Sequence, residues 1–119
     1  MANVLVVDDD ANNRLLLATL LRHRGHAALE AADGASALDI AAQTQLQLVV
    51  VDLSLPGMSG TALIKRLRAD GSDVKIALYT ATRVDAAIEE LRELYGISAV
   101  IPKPGDPKAI LDLFDELLN

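Results

Sequence analysis

The chain has 119 residues, 51% of them hydrophobic and only 3% aromatic, which suits one domain with a core of Leu, Val, Ile and Ala and leaves no room for two. A formal charge of -6 without any run of Lys and Arg excludes a phosphate-backbone footprint, so no direct nucleic-acid partner is expected. With no cysteine there is no disulfide framework, thiolate nucleophile or Cys-based zinc site.

Val4-Leu5-Val6-Val7 is an unbroken aliphatic run stopped by Asp8, the pattern of a strand buried on both faces of a parallel sheet. A stretch of helical period follows: Asp10 is its cap, Leu16, Leu17, Leu20 and Leu21 line one face, and Gly25 supplies a left-handed stop. His23 and His26 flank that glycine at the helix terminus and are assigned no chemistry. Ala27 to Ala31 is poorer in branched residues and reads as an edge strand, and Asp33 then caps a helix burying Ala37, Leu38 and Ala41. Leu48-Val49-Val50-Val51 repeats the buried-strand pattern and ends at Asp52. Ser59 caps a third helix burying Leu63, Ile64 and Leu67.

Ile76-Ala77-Leu78-Tyr79 is the fourth strand, with Thr80 at its end. The helix after it is expected to bury Val84, Ala87, Ile88, Leu91 and Leu94, with Asp85, Glu89, Glu90, Arg92 and Glu93 on its outer side. Ala99-Val100-Ile101 is the fifth strand, followed by Lys103, and Asp106 with Pro107 opens a last helix burying Ile110, Phe114 and Leu117. Strands strictly alternating with helices predict a single α/β domain over 1–119, a five-stranded parallel sheet covered on both faces. Periodicity does not give the strand order; 2-1-3-4-5 is one common solution for such a doubly wound sheet.

The polar residues stand at one edge of that sheet. Asp8 and Asp9 end the first strand, Asp52 the third and Thr80 the fourth, and Lys103 follows the fifth. Ligands of open parallel sheets bind outside those carboxyl ends, where the winding reverses. Neighbouring strands lie about 4.8 Å apart, so a lysine two strands away spans most of the distance to Asp52. Three carboxylates packed together repel one another unless a cation neutralises them. An all-oxygen donor set suits a hard ion, so Mg²⁺ is expected on Asp8, Asp9, Asp52 and the backbone carbonyl of Ser54, with zinc disfavoured. Asp52 is then the nucleophile, forming an acyl phosphate while Thr80 and Lys103 take up charge on the transferred oxygens.

The motifs VLVVDDDANNR, LVVVDLSLPGMSG, ALYTAT and IPKP resemble the receiver domain of bacterial two-component response regulators, over essentially the whole chain. The resemblance implies the flavodoxin-like order 2-1-3-4-5, magnesium on Asp8 and Asp9, and phosphorylation of Asp52 by a histidine kinase or histidine phosphotransfer protein. It implies that Thr80 contacts the phosphoryl group, that Lys103 pairs with it, and that Pro56, Gly60 and the small Ala81 match loop positions. It further implies a cytoplasmic signalling switch that relays phosphorylation to a downstream target the sequence does not identify. Such a domain assists its own phosphorylation and dephosphorylation without turnover on an external substrate.

Three positions depart from the family pattern: Val100 stands where Tyr or Phe is usual, Gly105 where Phe is common, and Pro102 directly precedes the lysine. With no window of roughly 18 apolar residues and no signal segment after Met1-Ala2-Asn3, no membrane association is expected and the chain reads as soluble and unprocessed. Two other functions were open to the residues. One is a phosphorylation-independent interaction module of the same shape. The other is a small phosphatase using the Asp-x-Asp spacing of Asp8 and Asp10, against which Ala11, Asn12 and Asn13 stand where such enzymes carry a threonine.

Overall fold

The computed structural model describes residues 1–119. In chain order the elements are β1 (Asn3–Val7), α1 (Ala11–His23), β2 (Ala27–Ala31), α2 (Gly34–Gln43), β3 (Leu48–Val51), α3 (Gly60–Ala69), β4 (Lys75–Thr80), α4 (Ala86–Tyr95), β5 (Ile97–Pro102) and α5 (Pro107–Leu118). All strand pairs are parallel and the order is β2-β1-β3-β4-β5, as expected. The chain therefore reverses its winding between β1 and β3.

Each helix starts on a side-chain cap that accepts a backbone amide of the first turn: Asp10, Asp33, Ser59, Asp85 and Asp106. Such a cap contributes about 1 kcal/mol. Asp85, expected on the outer side of α4, is instead its cap, accepting from Ile88 N at 3.1 Å.

Side chains alternate across each strand, so the core forms two layers. Leu5, Val7, Val49, Val51, Ile76 and Leu78 face α2, α3 and α4. Val4, Val6, Leu48, Val50, Ala77 and Tyr79 face Leu17 and Leu21 of α1 and Ile110 and Phe114 of α5. One irregularity resets this alternation. Ile76 pairs with Ile97 but Ala77 pairs with Ala99, so Ser98 is an extra residue in β5. Ile97 consequently faces the α4 side while Ala99 and Ile101 face α5. Val100 packs half-buried on the α4 side.

The inward stripe of α4 differs from the expected one. Ile88 and Leu91 are buried and Tyr95 is half-buried, an i, i+3, i+7 line, whereas Val84 and Leu94 are 51% and 65% exposed and Ala87 is also exposed. Val84 precedes the cap and lies outside the helix. At about 100° per residue, Ala87 and Leu94 fall well to the side of the Ile88–Leu91–Tyr95 line. No helix is long and apolar enough to cross a membrane.

Candidate functional site

The strand ladders continue past the last strand residues and hold the acidic groups in register. Val7 lies opposite Val51, the amide of Asp52 donates to the Val7 carbonyl at 3.0 Å, and that of Asp8 donates to the Ala31 carbonyl at 3.1 Å. Asp8 and Asp52 thus occupy equivalent places on neighbouring strands, and both are buried. Their carboxylates are also held alike. Oδ1 of Asp8 accepts from Asp10 N at 2.9 Å, and Oδ1 of Asp52 accepts from Ser54 N at 3.1 Å, an Asx turn in each case.

The remaining oxygens meet one cation. Lys103 Nζ lies 2.7 Å from Asp8 Oδ2 and 2.7 Å from Asp52 Oδ2. Its backbone amide donates to the Thr80 carbonyl at 3.0 Å, which ties the start of the lysine stem to the end of β4. Burial disfavours the ammonium, but the hydrogen bonds it donates to Asp52 and Asp8, with their negative charge, outweigh it and hold Lys103 above its ordinary 10.5. Because the folded value lies above the unfolded one, this contribution to stability is intact at neutral pH. It is lost as pH climbs through the raised value.

Asp9 is exposed, and carboxylate oxygens of Asp8, Asp9 and Asp52 lie within 4.8 Å of one another. A buried pair plus one solvent-facing carboxylate fits a hard cation that keeps part of its water shell, as magnesium does. The loop from Asp52 into α3 turns at Gly57 (φ 71°), and the Gly60 amide donates to the Leu53 carbonyl at 2.9 Å.

Asp8, Asp9, Asp52 and Lys103 are therefore brought together. Thr80, buried at the end of β4, is engaged elsewhere: its hydroxyl donates to Thr82 Oγ1 at 3.1 Å and accepts from Thr82 N at 3.2 Å. Beside Gly105, Ile110 fills the space a side chain would take, since a Cβ there would lie 2.8 Å from Ile110 Cδ1.

Two neighbours of the site were not anticipated from the sequence. Arg14 donates to the Asp8 carbonyl at 2.8 Å and lies 3.4 Å from Glu30, tying α1 to the end of β1 and to β2. Its only sequence signal is its place in the first turns of α1, facing the strand ends. Thr82 lies two residues beyond Thr80, a spacing that allows the hydroxyl-to-amide turn seen here.

Comparison with known proteins agrees with this geometry. The family described as "Response regulator receiver domain" matches residues 4–115. Sporulation initiation phosphotransferase F of Bacillus subtilis is 32% identical over 115 residues, covering 97% of this chain and 92% of that protein. The DNA-binding response regulator MtrA of Mycobacterium tuberculosis is 38% identical over 108 residues, 91% of this chain and 46% of that protein. The chain thus spans nearly all of the first relative and about half of the second. Among solved structures, the chemotaxis protein CheY4 of Vibrio cholerae superposes with a TM-score of 0.90 at 25% identity, covering 98% of both chains. A receiver domain from Methanospirillum hungatei gives 0.90 at 24% identity, covering 99% of this chain and 94% of that one, and so bears on the fold. On its fold, its acidic crevice and these matches, the chain belongs to the receiver domains of two-component response regulators, a family whose known function is to accept a phosphoryl group.

Proposed function

We propose that Asp52 accepts the phosphoryl group, from the phosphohistidine of a histidine kinase or histidine phosphotransfer protein, in a cytoplasmic receiver domain formed by residues 1–119. The observation that carries this reading is the convergence of two buried carboxylates on Lys103 at the carboxyl edge of the sheet, with Asp9 beside them. A carboxylate oxygen of Asp52 forms the new P–O bond as the P–N bond of the phosphohistidine breaks, and the imidazole nitrogen leaves with the electron pair. Ser54 N keeps one Asp52 oxygen oriented throughout. Lys103 turns its ammonium from Asp52 to the incoming phosphoryl oxygens. Thr80 reaches them by exchanging its hydrogen bond to Thr82.

Asp8, Asp9, Asp52 and the Ser54 carbonyl would hold Mg²⁺, which supplies positive charge against the transferred oxygens. The protein is a regulatory switch and turns over no external substrate. The test is intact mass after incubation with acetyl phosphate and Mg²⁺. A gain of one phosphate, lost on hydroxylamine treatment, is expected; no gain would favour a phosphorylation-independent interaction module.

Asp9→Ala is expected to weaken Mg²⁺ binding about tenfold or more, because few protein groups hold the ion and this one faces solvent. Magnesium titrations of parent and variant measure it, and equal affinities would place the ion elsewhere.

A further expectation concerns the switch. Val100 has one strongly preferred side-chain rotamer and too little reach to exchange exposed and buried positions as the family's aromatic residue does. Beryllofluoride is therefore expected to move amide signals in the loops after β3 and β4 while those from Val100 through Ile110 to Phe114 stay nearly fixed. Changes there as large as those beside Asp52 would show a switch that needs no aromatic at this position.

A further inference from the structure

Lys103 has a third neighbour that the acid-lysine arrangement does not use. Its Nζ lies 5.3 Å from the ring centroid of Tyr79, over the ring. Tyr79 is 2% exposed and sits in the core layer against α1 and α5, with Ile101, Ile110 and Phe114 in the same cluster. It pairs in register with Ile101, two residues before the lysine. The extra residue Ser98 sets this geometry, because it turns Ile101 to the same layer as Tyr79. The lysine, whose backbone amide is tied to the end of β4, therefore carries the tip of its stem over a fixed aromatic ring at the point where it meets the two aspartates.

We infer that Tyr79 is a positioning residue for Lys103, its ring face holding the ammonium in the crevice while the lysine exchanges Asp52 for phosphoryl oxygens. This rests on the reading of Asp52 as acceptor. An ammonium has three donors, and the two aspartates accept two of them. The carboxylate contacts change when Asp52 becomes an acyl phosphate; the ring, locked in the core, does not. Attraction of a cation to an aromatic face within about 6 Å strengthens as water is excluded, and the Lys103 side chain is only 14% exposed. A leucine at this position would fill much of the same space but offer no negative face, leaving the lysine stem free to visit rotamers that point its charge to solvent.

Two measurements test this. The first is the rate of phosphate gain from acetyl phosphate at saturating Mg²⁺, read by intact mass. Tyr79→Leu is expected to slow it about fivefold, and Tyr79→Phe, which keeps the ring face and loses the hydroxyl, to stay within about twofold of the parent. Leucine as fast as the parent, or phenylalanine as slow as leucine, would overturn the proposal. The second uses the absence of tryptophan and the presence of only two tyrosines. In a Tyr95→Phe background Tyr79 is the sole tyrosine, and Lys103→Met is expected to shift its near-ultraviolet band and emission in the metal-free protein. An unchanged spectrum would show that the ammonium and ring do not interact. If the parent takes no phosphate, the acceptor reading fails, and the spectrum still decides the contact. If Tyr79→Leu does not fold, the phenylalanine rate and the spectrum decide it.

Discussion

Asp52→Asn is expected to abolish phosphorylation by acetyl phosphate without unfolding the protein. An amide is too weak a nucleophile to attack phosphorus and is a poor magnesium ligand, so both the proposed bond-forming group and part of the proposed ion site would be lost together. The fold should tolerate the change because the shapes are nearly equal and the amide oxygen can still accept from Ser54 N, now 3.1 Å from Asp52 Oδ1. Lys103 keeps Asp8 as partner at 2.7 Å. Removing one charge from three carboxylates that lie within 4.8 Å of one another also relieves repulsion. In the metal-free protein the variant should therefore lose less than the roughly 3–5 kcal/mol that leaving a buried charge without any partner costs. Intact mass and thermal unfolding measure the two halves of this expectation. A full phosphate on the variant would move the acceptor to Asp8 or Asp9, the neighbouring carboxylates, and peptide mapping would say which.

Gly60→Ala is expected to be among the most damaging single-methyl additions in the chain. A Cβ on Gly60 would collide with the carbonyl oxygen of Asp52 and lie 2.6 Å from Leu53 Cα and 2.9 Å from the Asp52 carbonyl carbon. All three are backbone atoms, so no side-chain rotation relieves the clash. Either α3 withdraws, breaking the 2.9 Å bond from Gly60 N to the Leu53 carbonyl, or the end of β3 moves with its aspartate. Overpacking of this kind costs about 2–3 kcal/mol, or roughly 10 °C in Tm for a domain of this size. Phosphorylation should slow even in the folded fraction, because the displaced atoms carry Asp52. Gly25→Ala is the control. Its added methyl meets open space and the cost comes only from φ of +82°, about 1 kcal/mol, with labelling unchanged. A Gly60→Ala variant as stable as Gly25→Ala would show that the α3 entry yields easily.

What the sequence determined by itself was whatever depends on local period or on one strand end. Aliphatic runs stopped by aspartate located β1 and β3, and capping residues located four of the five helix starts. The motifs supplied the family resemblance and with it the strand order, which periodicity leaves open because parallel strands are joined by crossovers of similar length whatever their order. The meeting of Asp8, Asp52 and Lys103 could then be foreseen, since each ends or follows a strand of the same sheet.

Only the tertiary structure decided what depends on angles between elements. The α4 stripe proved narrower than its composition suggested, because Ile88, Leu91 and Tyr95 alone share a line while Val84 and Leu94 are exposed. The extra residue at Ser98 has no signature in a run of apolar residues, yet it decides that Val100 faces α4 and Ile101 faces α5. Tyr79 was readable as a core filler. That its ring lies under the Lys103 ammonium follows from side chains on two strands sharing one face, which the order of residues along a single strand does not encode.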